Sequence, residues 1–251
     1  MTPEIRIIGL KVPEDITPGV DLAAVMVEAA QAQGLSFSSG DIVVVTQKIV
    51  SKAEGQLLDL QTVTPSPFAE QIGRVQKRDP RLVEVVLRET KRVVKMDQRA
   101  IIVETRHGFV CANAGVDESN VAGDGTVALL PVEPDASARR LRQAIRDLTG
   151  MELAVIISDT FARPWREGFV NVAIGVAGLE PLKDYRGVPD TEGRILQATT
   201  LAVADELASA AELVMGKVDR IPVAVIRGYS YTPGDGTAAQ LVRAPEKDLF
   251  R

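Results

Sequence analysis

A carboxylate and a hydroxyl stand together at Asp159-Thr160, one serine after an apolar run over residues 153–157, and Arg163, Trp165 and Arg166 follow closely. An aspartate and a threonine where a buried strand stops offer hard oxygen donors to a divalent cation. Arginine forks beside them suit phosphate or carboxylate oxygens. A second carboxylate, Asp117, follows another apolar stretch, within Asn113-Ala-Gly-Val-Asp-Glu-Ser-Asn120. Two carboxylates at the ends of separate strands can converge on one ion. The plain alternative is that Asp117 makes a turn and Asp159 caps a helix.

The second set is cationic. Lys48 and Lys52 lie four residues apart in Gln47-Lys-Ile-Val-Ser-Lys-Ala-Glu-Gly55, so a helical turn puts both on one face. Beside a strand end such a pair suits nucleotide phosphates as point charges, although a solvated surface face would use the same spacing. Trp165 can stack a ligand ring or anchor a core. Lys183-Asp-Tyr-Arg186-Gly187 has the composition of a polar loop. Neither G-x-x-x-x-G-K-[ST] nor G-x-G-x-x-G occurs, so a nucleotide would bind without a P-loop or a dinucleotide-binding turn.

The single histidine, His107, reads as a turn residue, and the single cysteine, Cys111, as buried packing. These counts exclude an internal disulfide, a cysteine-rich zinc site and a multi-histidine centre within one chain, which leaves an oxygen-held Mg²⁺ or Mn²⁺. With 251 residues, 45% of them hydrophobic, the chain can bury a full core. A net charge of −5 without any Lys/Arg block disfavours nucleic acid as a partner. Arg139, Arg140, Arg142 and Arg146 read as a solvated helix face. No apolar run reaches the roughly 20 residues of a membrane span. The start, Met-Thr-Pro-Glu-Ile-Arg, lacks a signal-peptide pattern, so a cytoplasmic protein off the membrane is expected.

Positioning these residues takes both kinds of element. Helices are expected over 21–33, with Asp21 as N-cap and Gly34 as stop, over 65–78, over 81–94 after Asp79-Pro80, over 135–149 before Gly150, and over 191–215 before Gly216. Strands are expected over 41–46, 100–104, 109–112, 153–157, 170–178 and 221–226. The glycines inside 170–178 mark that strand as crowded. No regular βαβ period emerges, so the fold class is α+β (mixed α/β), with mixed sheets and flanking helices. The two Gly-Asp-Gly-Thr segments, at 123 and 234, read as turns.

Four motifs now stand in order: Gln47 to Gly55, Asn113 to Asn120, Ile157-Ser-Asp-Thr160 with Arg163-Pro-Trp-Arg-Glu-Gly168, and Leu213-Val-Met-Gly216. Together they resemble the coenzyme F420-0:L-glutamate ligase family, the γ-glutamyl ligases of deazaflavin biosynthesis. The resemblance implies one ligase domain over residues 1–251, as one body or two intertwined lobes, in the stand-alone form without a C-terminal nitroreductase-like domain. It implies an intertwined homodimer with GTP as co-substrate and Mg²⁺ or Mn²⁺, K⁺ being a further candidate. L-Glutamate would be joined to the lactyl carboxylate of F420-0 through an acyl phosphate, with further glutamates γ-linked and GDP and phosphate released.

By matching position, Asp117, Asp159 and Thr160 are metal ligands. Gln47, Lys48, Lys52 and Asn120 contact nucleotide, as do Met215, Gly216, Lys217 and Val218 in one loop and Leu10, Lys11, Val12 and Pro13 near the N-terminus. Lys52 and Asp159 are the catalytic candidates. Arg163, Trp165, Arg166 and Arg186 are substrate-side candidates. At Lys217 the family pattern has an acidic metal ligand, so either a second metal loses a ligand or the lysine carries part of its charge. The alternatives are an amide ligase of the same fold acting on another carboxylate, or a non-catalytic guanine-nucleotide-binding regulator.

Overall fold

The largest apolar core is built on a five-stranded sheet. The computed structural model describes residues 2–12, 15–118 and 125–248. In chain order the elements are β1 (Arg6–Leu10), α1 (Leu22–Ala32), β2 (Ile42–Thr46), α2 (Gln47–Ala53), β3 (Leu57–Asp59), α3 (Pro67–Gln76), α4 (Pro80–Arg88), β4 (Thr90–Met96), β5 (Ile101–Thr105), β6 (Val110–Ala112), β7 (Thr126–Ala128), α5 (Pro134–Thr149), β8 (Ala154–Arg163), β9 (Arg166–Ala177), β10 (Lys183–Asp184), β11 (Thr200–Leu201), α6 (Val203–Met215) and β12 (Val223–Arg227). The expected mixed α+β architecture is present, with several sheets and flanking helices.

The main sheet runs β1-β12-β2-β8-β9 and is antiparallel except at its centre. There β2 and β8 pair in parallel, with Thr46 opposite Ser158. Ile42 to Val45 and Ala154 to Ser158 are buried at every position, not at alternate ones, because both sheet faces are covered. α1 packs on α5, which lies against β8 and β9, while α6 crosses all five strands. Each buried valine or isoleucine contributes about 2 kcal/mol here.

Local chemistry sets the helix ends. Asp21 accepts from Ala24 N–H at 3.0 Å and starts α1. Ser66 caps α3 and Asp79 caps α4, each followed by proline in the first turn. Asp135 Oδ1, in the first turn of α5, accepts from Val176 N–H at 2.8 Å and Ala238 N–H at 2.9 Å, tying the helix to β9 and the C-terminal segment. The crowding expected around β9 is real: a Cβ on Gly175 would sit 2.5 Å from Pro134 O.

Three boundaries differ from the expectation. The helix expected over 81–94 ends at Arg88, and residues 90–96 form β4. Thr90 folds its hydroxyl back onto Val86 O at 2.6 Å, and the β-branched stretch after it pairs with β5. The helix expected from 191 starts only at Val203. Before it, Asp190 Oδ1 accepts from Glu192 N–H and Arg194 N–H, turn bonding that competes with a helix, and β10 pairs with β11. The strand expected to stop before Asp159 instead continues to Arg163 and returns as β9. Asp159 therefore caps no helix. A smaller sheet, β4-β5-β6, packs with α3 and α4 around Ile72, Val83, Val86, Ile101 and Val103.

Candidate active site

The one parallel pair in the main sheet ends where Thr46, the last residue of β2, lies beside Ser158 of β8, just before Asp159. In open sheets ligands gather at such ends. β2 runs without a loop into α2, so Gln47, Lys48 and Lys52 leave the strand end on one short helix. Gln47 is buried, with Oε1 accepting from Ser51 Oγ at 2.8 Å. Lys48 Nζ lies 2.8 Å from Asp117 Oδ2.

Asp117 arrives from a different sheet. After β6 the chain makes a turn in which Asn113, Ala114 and Gly115 all have positive φ, of 53°, 56° and 71°. Only the third is a glycine, and each left-handed non-glycine residue costs about 1–2 kcal/mol. Arg78 Nη1 holds the turn by donating to Asn113 Oδ1 at 2.7 Å. Asp117 is then pinned to Ala128 by a reciprocal pair of backbone hydrogen bonds, 3.0 and 2.8 Å. The alternative read from sequence, a turn aspartate, holds for the segment but not for the side chain, which faces the lysine.

Asp159 and Thr160 sit where the β8–β9 register shifts, between Ile157 and Ser158. Ala173 N–H, beside this irregularity, donates to Asp205 Oδ1 of α6 at 2.9 Å. Burial first, and the nearby Asp117 carboxylate after it, push the Asp159 carboxyl up to about 7. The Thr160 N–H, at 2.8 Å from Asp159 Oδ1, and the ammonium groups of Lys217 and Lys48 oppose that rise. Thr160 Oγ1 donates to Asn171 Oδ1 at 2.7 Å and accepts from Lys217 Nζ at 2.7 Å. Ser158 Oγ is buried without a hydrogen-bond partner among the described residues.

These groups line one cleft of about 880 Å³. It brings together Val12, Gln47, Lys48, Lys52, Asp117, Asp159, Thr160, Gly216, Lys217 and Val218, all expected site residues. Others lie elsewhere. Leu10 and Met215 are core side chains, 1% exposed each. Lys11 is exposed and exchanges backbone hydrogen bonds with the Gln33 amide. Arg186 pairs with Asp184 on the surface. Arg163, Trp165 and Arg166 form the β8–β9 hairpin tip, outside the cleft lining, with Trp165 79% exposed. Pro13 and Asn120 fall outside the described residues.

Sequence reasoning missed Asn171, Arg220 and Asp15, which also line the cleft, and Glu212, which holds Asn171. A lone asparagine inside the apolar run of β9 was a usable signal for the first. Arg220 had none in the motif, which ends before it; its φ of 56° turns the chain toward β12. His107 stays in its turn, Nε2 lying 3.1 Å from Val132 O. Burial pushes the Cys111 thiol up to about 12, consistent with packing.

The corner is chemically suited to a hard cation. Asp117 and Asp159 supply carboxylates and Thr160 a hydroxyl, all oxygen. A divalent ion between them would offset the cost that burial and the second carboxylate impose on ionised Asp159. Lys52 and Arg220 form no ion pair among the described residues and can meet an anion across the cleft.

Residues 9–228 match the model of the F420-0:Gamma-glutamyl ligase family. The chain is 47% identical over 250 residues to the coenzyme F420:L-glutamate ligase of Methanothermobacter thermautotrophicus, covering 98% of this chain and 99% of that protein. It is 45% identical to the protein of the same name from Methanopyrus kandleri, covering 99% and 98%. The corresponding protein of Methanocaldococcus jannaschii is 43% identical, over 99% and 97%.

Proposed function

The chain belongs to the F420-0:gamma-glutamyl ligase family, and we propose that its cleft joins L-glutamate to F420-0, with GTP as phosphoryl donor and Mg²⁺ or Mn²⁺ as cofactor. One observation carries this reading. Lys48, Lys52, Asp117, Asp159 and Thr160, from separate parts of the chain, line one cleft at the carboxyl ends of the parallel pair.

The chemistry assigns work to each. A carboxylate oxygen of F420-0 attacks the γ-phosphorus of GTP; the bond to GDP breaks and an acyl phosphate forms. The glutamate amine then attacks the acyl carbon, the C–O bond to phosphate breaks, and the amine loses a proton. Phosphoryl transfer of this kind needs positioning and charge neutralisation more than covalent help. A bound divalent ion supplies Lewis-acid stabilisation of the phosphate oxygens. Asp159 and Asp117 hold that ion, with Thr160 beside them, and Lys48 orients Asp117. Lys52 and Arg220 draw the phosphates in. Arg163, Trp165 and Arg166 are reached only by the far end of an elongated substrate, since Arg163 lies four strand positions beyond Asp159, about 13 Å.

A homodimer is part of the same reading. Val93, Val94 and Met96 of β4, together with Trp165 and Phe169 of the hairpin, are exposed apolar side chains that a second copy would cover. Sedimentation of the wild type should give twice the chain mass.

Mass spectrometry of products from purified protein, F420-0, GTP, glutamate and Mn²⁺ tests the function. The expected product is heavier than F420-0 by one glutamate residue or more, with one GDP formed per bond. GDP formation that is independent of F420-0 would overturn the substrate. GTP binding without any glutamate-dependent GDP would make the protein a binder.

A further inference from the structure

We infer that Lys217 is a built-in cation: its ammonium fills a second cation position beside the Asp117–Asp159 corner and faces nucleotide phosphate in place of a second divalent ion. The inference rests on the proposed nucleotide-and-metal reading of the cleft.

Three oxygens from three elements surround the ammonium. Thr160 Oγ1 of β8 and Glu212 Oε1 of α6 are each 2.7 Å from Lys217 Nζ, and Asn171 Oδ1 of β9 is 3.5 Å away. Their orientations are set by one another. Asn171 Nδ2 donates to Glu212 Oε2 at 2.7 Å, which turns the amide oxygen toward Thr160 and Lys217. Thr160 spends its proton on that oxygen, so a lone pair is left for the ammonium. A hydroxyl, an amide oxygen and a carboxylate converging on one point make a hard-cation donor set, here occupied by the chain itself.

A helix-end ion pair between Lys217 and Glu212 would explain one of these contacts only. It leaves the turned Asn171 amide and the Thr160 hydroxyl without a reason. The position is also directed at the ligand. Lys217 lines the cleft next to Asp159, and 59% of its side chain is exposed, so the ammonium can meet both the cradle and a phosphate. Gly216, with φ of 60°, swings the chain off the end of α6 and delivers the lysine there. A divalent ion in the same cradle would lie against the ammonium and be repelled.

Mn²⁺ binding followed by electron paramagnetic resonance, with GDP present, tests this without relying on turnover. The wild type should bind one Mn²⁺ per chain. Lys217→Glu should bind two, its carboxylate joining Thr160 and Glu212. Lys217→Met should keep one Mn²⁺ but bind GDP about tenfold more weakly, a loss of about 1.4 kcal/mol, and Lys217→Arg should recover most of it. Circular dichroism would establish that each variant is folded. Two Mn²⁺ on the wild type, or unchanged GDP affinity in Lys217→Met, overturns the inference and leaves the reading of the cleft standing. No Mn²⁺ bound by the wild type overturns that reading, and this inference with it.

Discussion

The base and the tip of one β-hairpin, β8 and β9, hold their polar residues in opposite surroundings. At its base, Asp159 and Thr160 of β8 face Val172 and Asn171 of β9, enclosed by α6 and α2. At its tip, Trp165 and Arg166 are exposed and Arg163 is half-buried. Charges at the base lose water. The Asp159 carboxyl is therefore pushed to about 7, and the hydroxyl of Thr160 is committed to specific partners. At the tip Arg166 keeps its water, while Arg163 is half-buried: its Nη2 donates to Glu167 O at 2.7 Å within the turn, and its Nε is buried without a hydrogen-bond partner among the described residues. Residues four apart on a strand are about 13 Å apart, so neighbours in sequence here do not share a site.

Breaking the base should be the most damaging change. Asp159→Asn is expected to lower glutamate-dependent GDP release by about a thousandfold or more, because one oxygen charge at the metal corner is lost. Its thermal midpoint should stay within a few degrees of the wild type. If turnover survives within tenfold, base and tip are functionally alike. Lys52→Ala should cost about 10–100-fold in kcat/KM for GTP, or about 1.4–2.7 kcal/mol. Substrate-saturation kinetics would show it.

The pH response sharpens the contrast. In the folded chain without a divalent ion, burial holds the Asp159 carboxyl up at about 7, against an ordinary carboxylate value of 3.8. Between those values the folded state holds the extra proton, so this group's stabilising contribution is complete below about pH 4 and is lost as pH rises through about 7. Mn²⁺ should therefore raise the melting temperature more at pH 8 than at pH 5.5, and Asp159→Asn should remove most of the difference. Scanning calorimetry at the two pH values decides it. Smallest of all should be Trp165→Ala or Arg166→Ala. GTP kinetics should change by about threefold at most, any larger loss falling on KM for F420-0. A tenfold loss in GTP affinity would place the tip at the nucleotide.

Much of this was legible in the residues themselves. The i, i+4 spacing of Lys48 and Lys52 showed a shared helix face, and α2 has that face in the cleft. The β-branched runs of β2 and β8 showed strands, and the glycines of β9 showed a close approach. The stretch at 90–96 was misread as helix because lysine, arginine and valine suit either period over so short a length; pairing with β5 settled it. The stretch at 191–202 was misread because its apolar residues keep helical spacing, while Asp190 bonds the backbone into a turn first.

By itself the sequence determined which donor types are at hand: oxygen, since one histidine and one cysteine cannot build a nitrogen or sulfur site within the chain, and lysines spaced to share a face. It also determined the mixed architecture, through patterns that act over a few residues. Only tertiary structure decided that β2 would lie parallel to β8, and so that Lys48 and Lys52 would line one cleft with Asp159. It also decided that Asp117 would reach Lys48 through a left-handed turn, and that Lys217 would close on Thr160. The physical reason is that strand pairing and side-chain convergence depend on which buried surfaces cover one another across distant segments. Local periodicity carries no record of that choice.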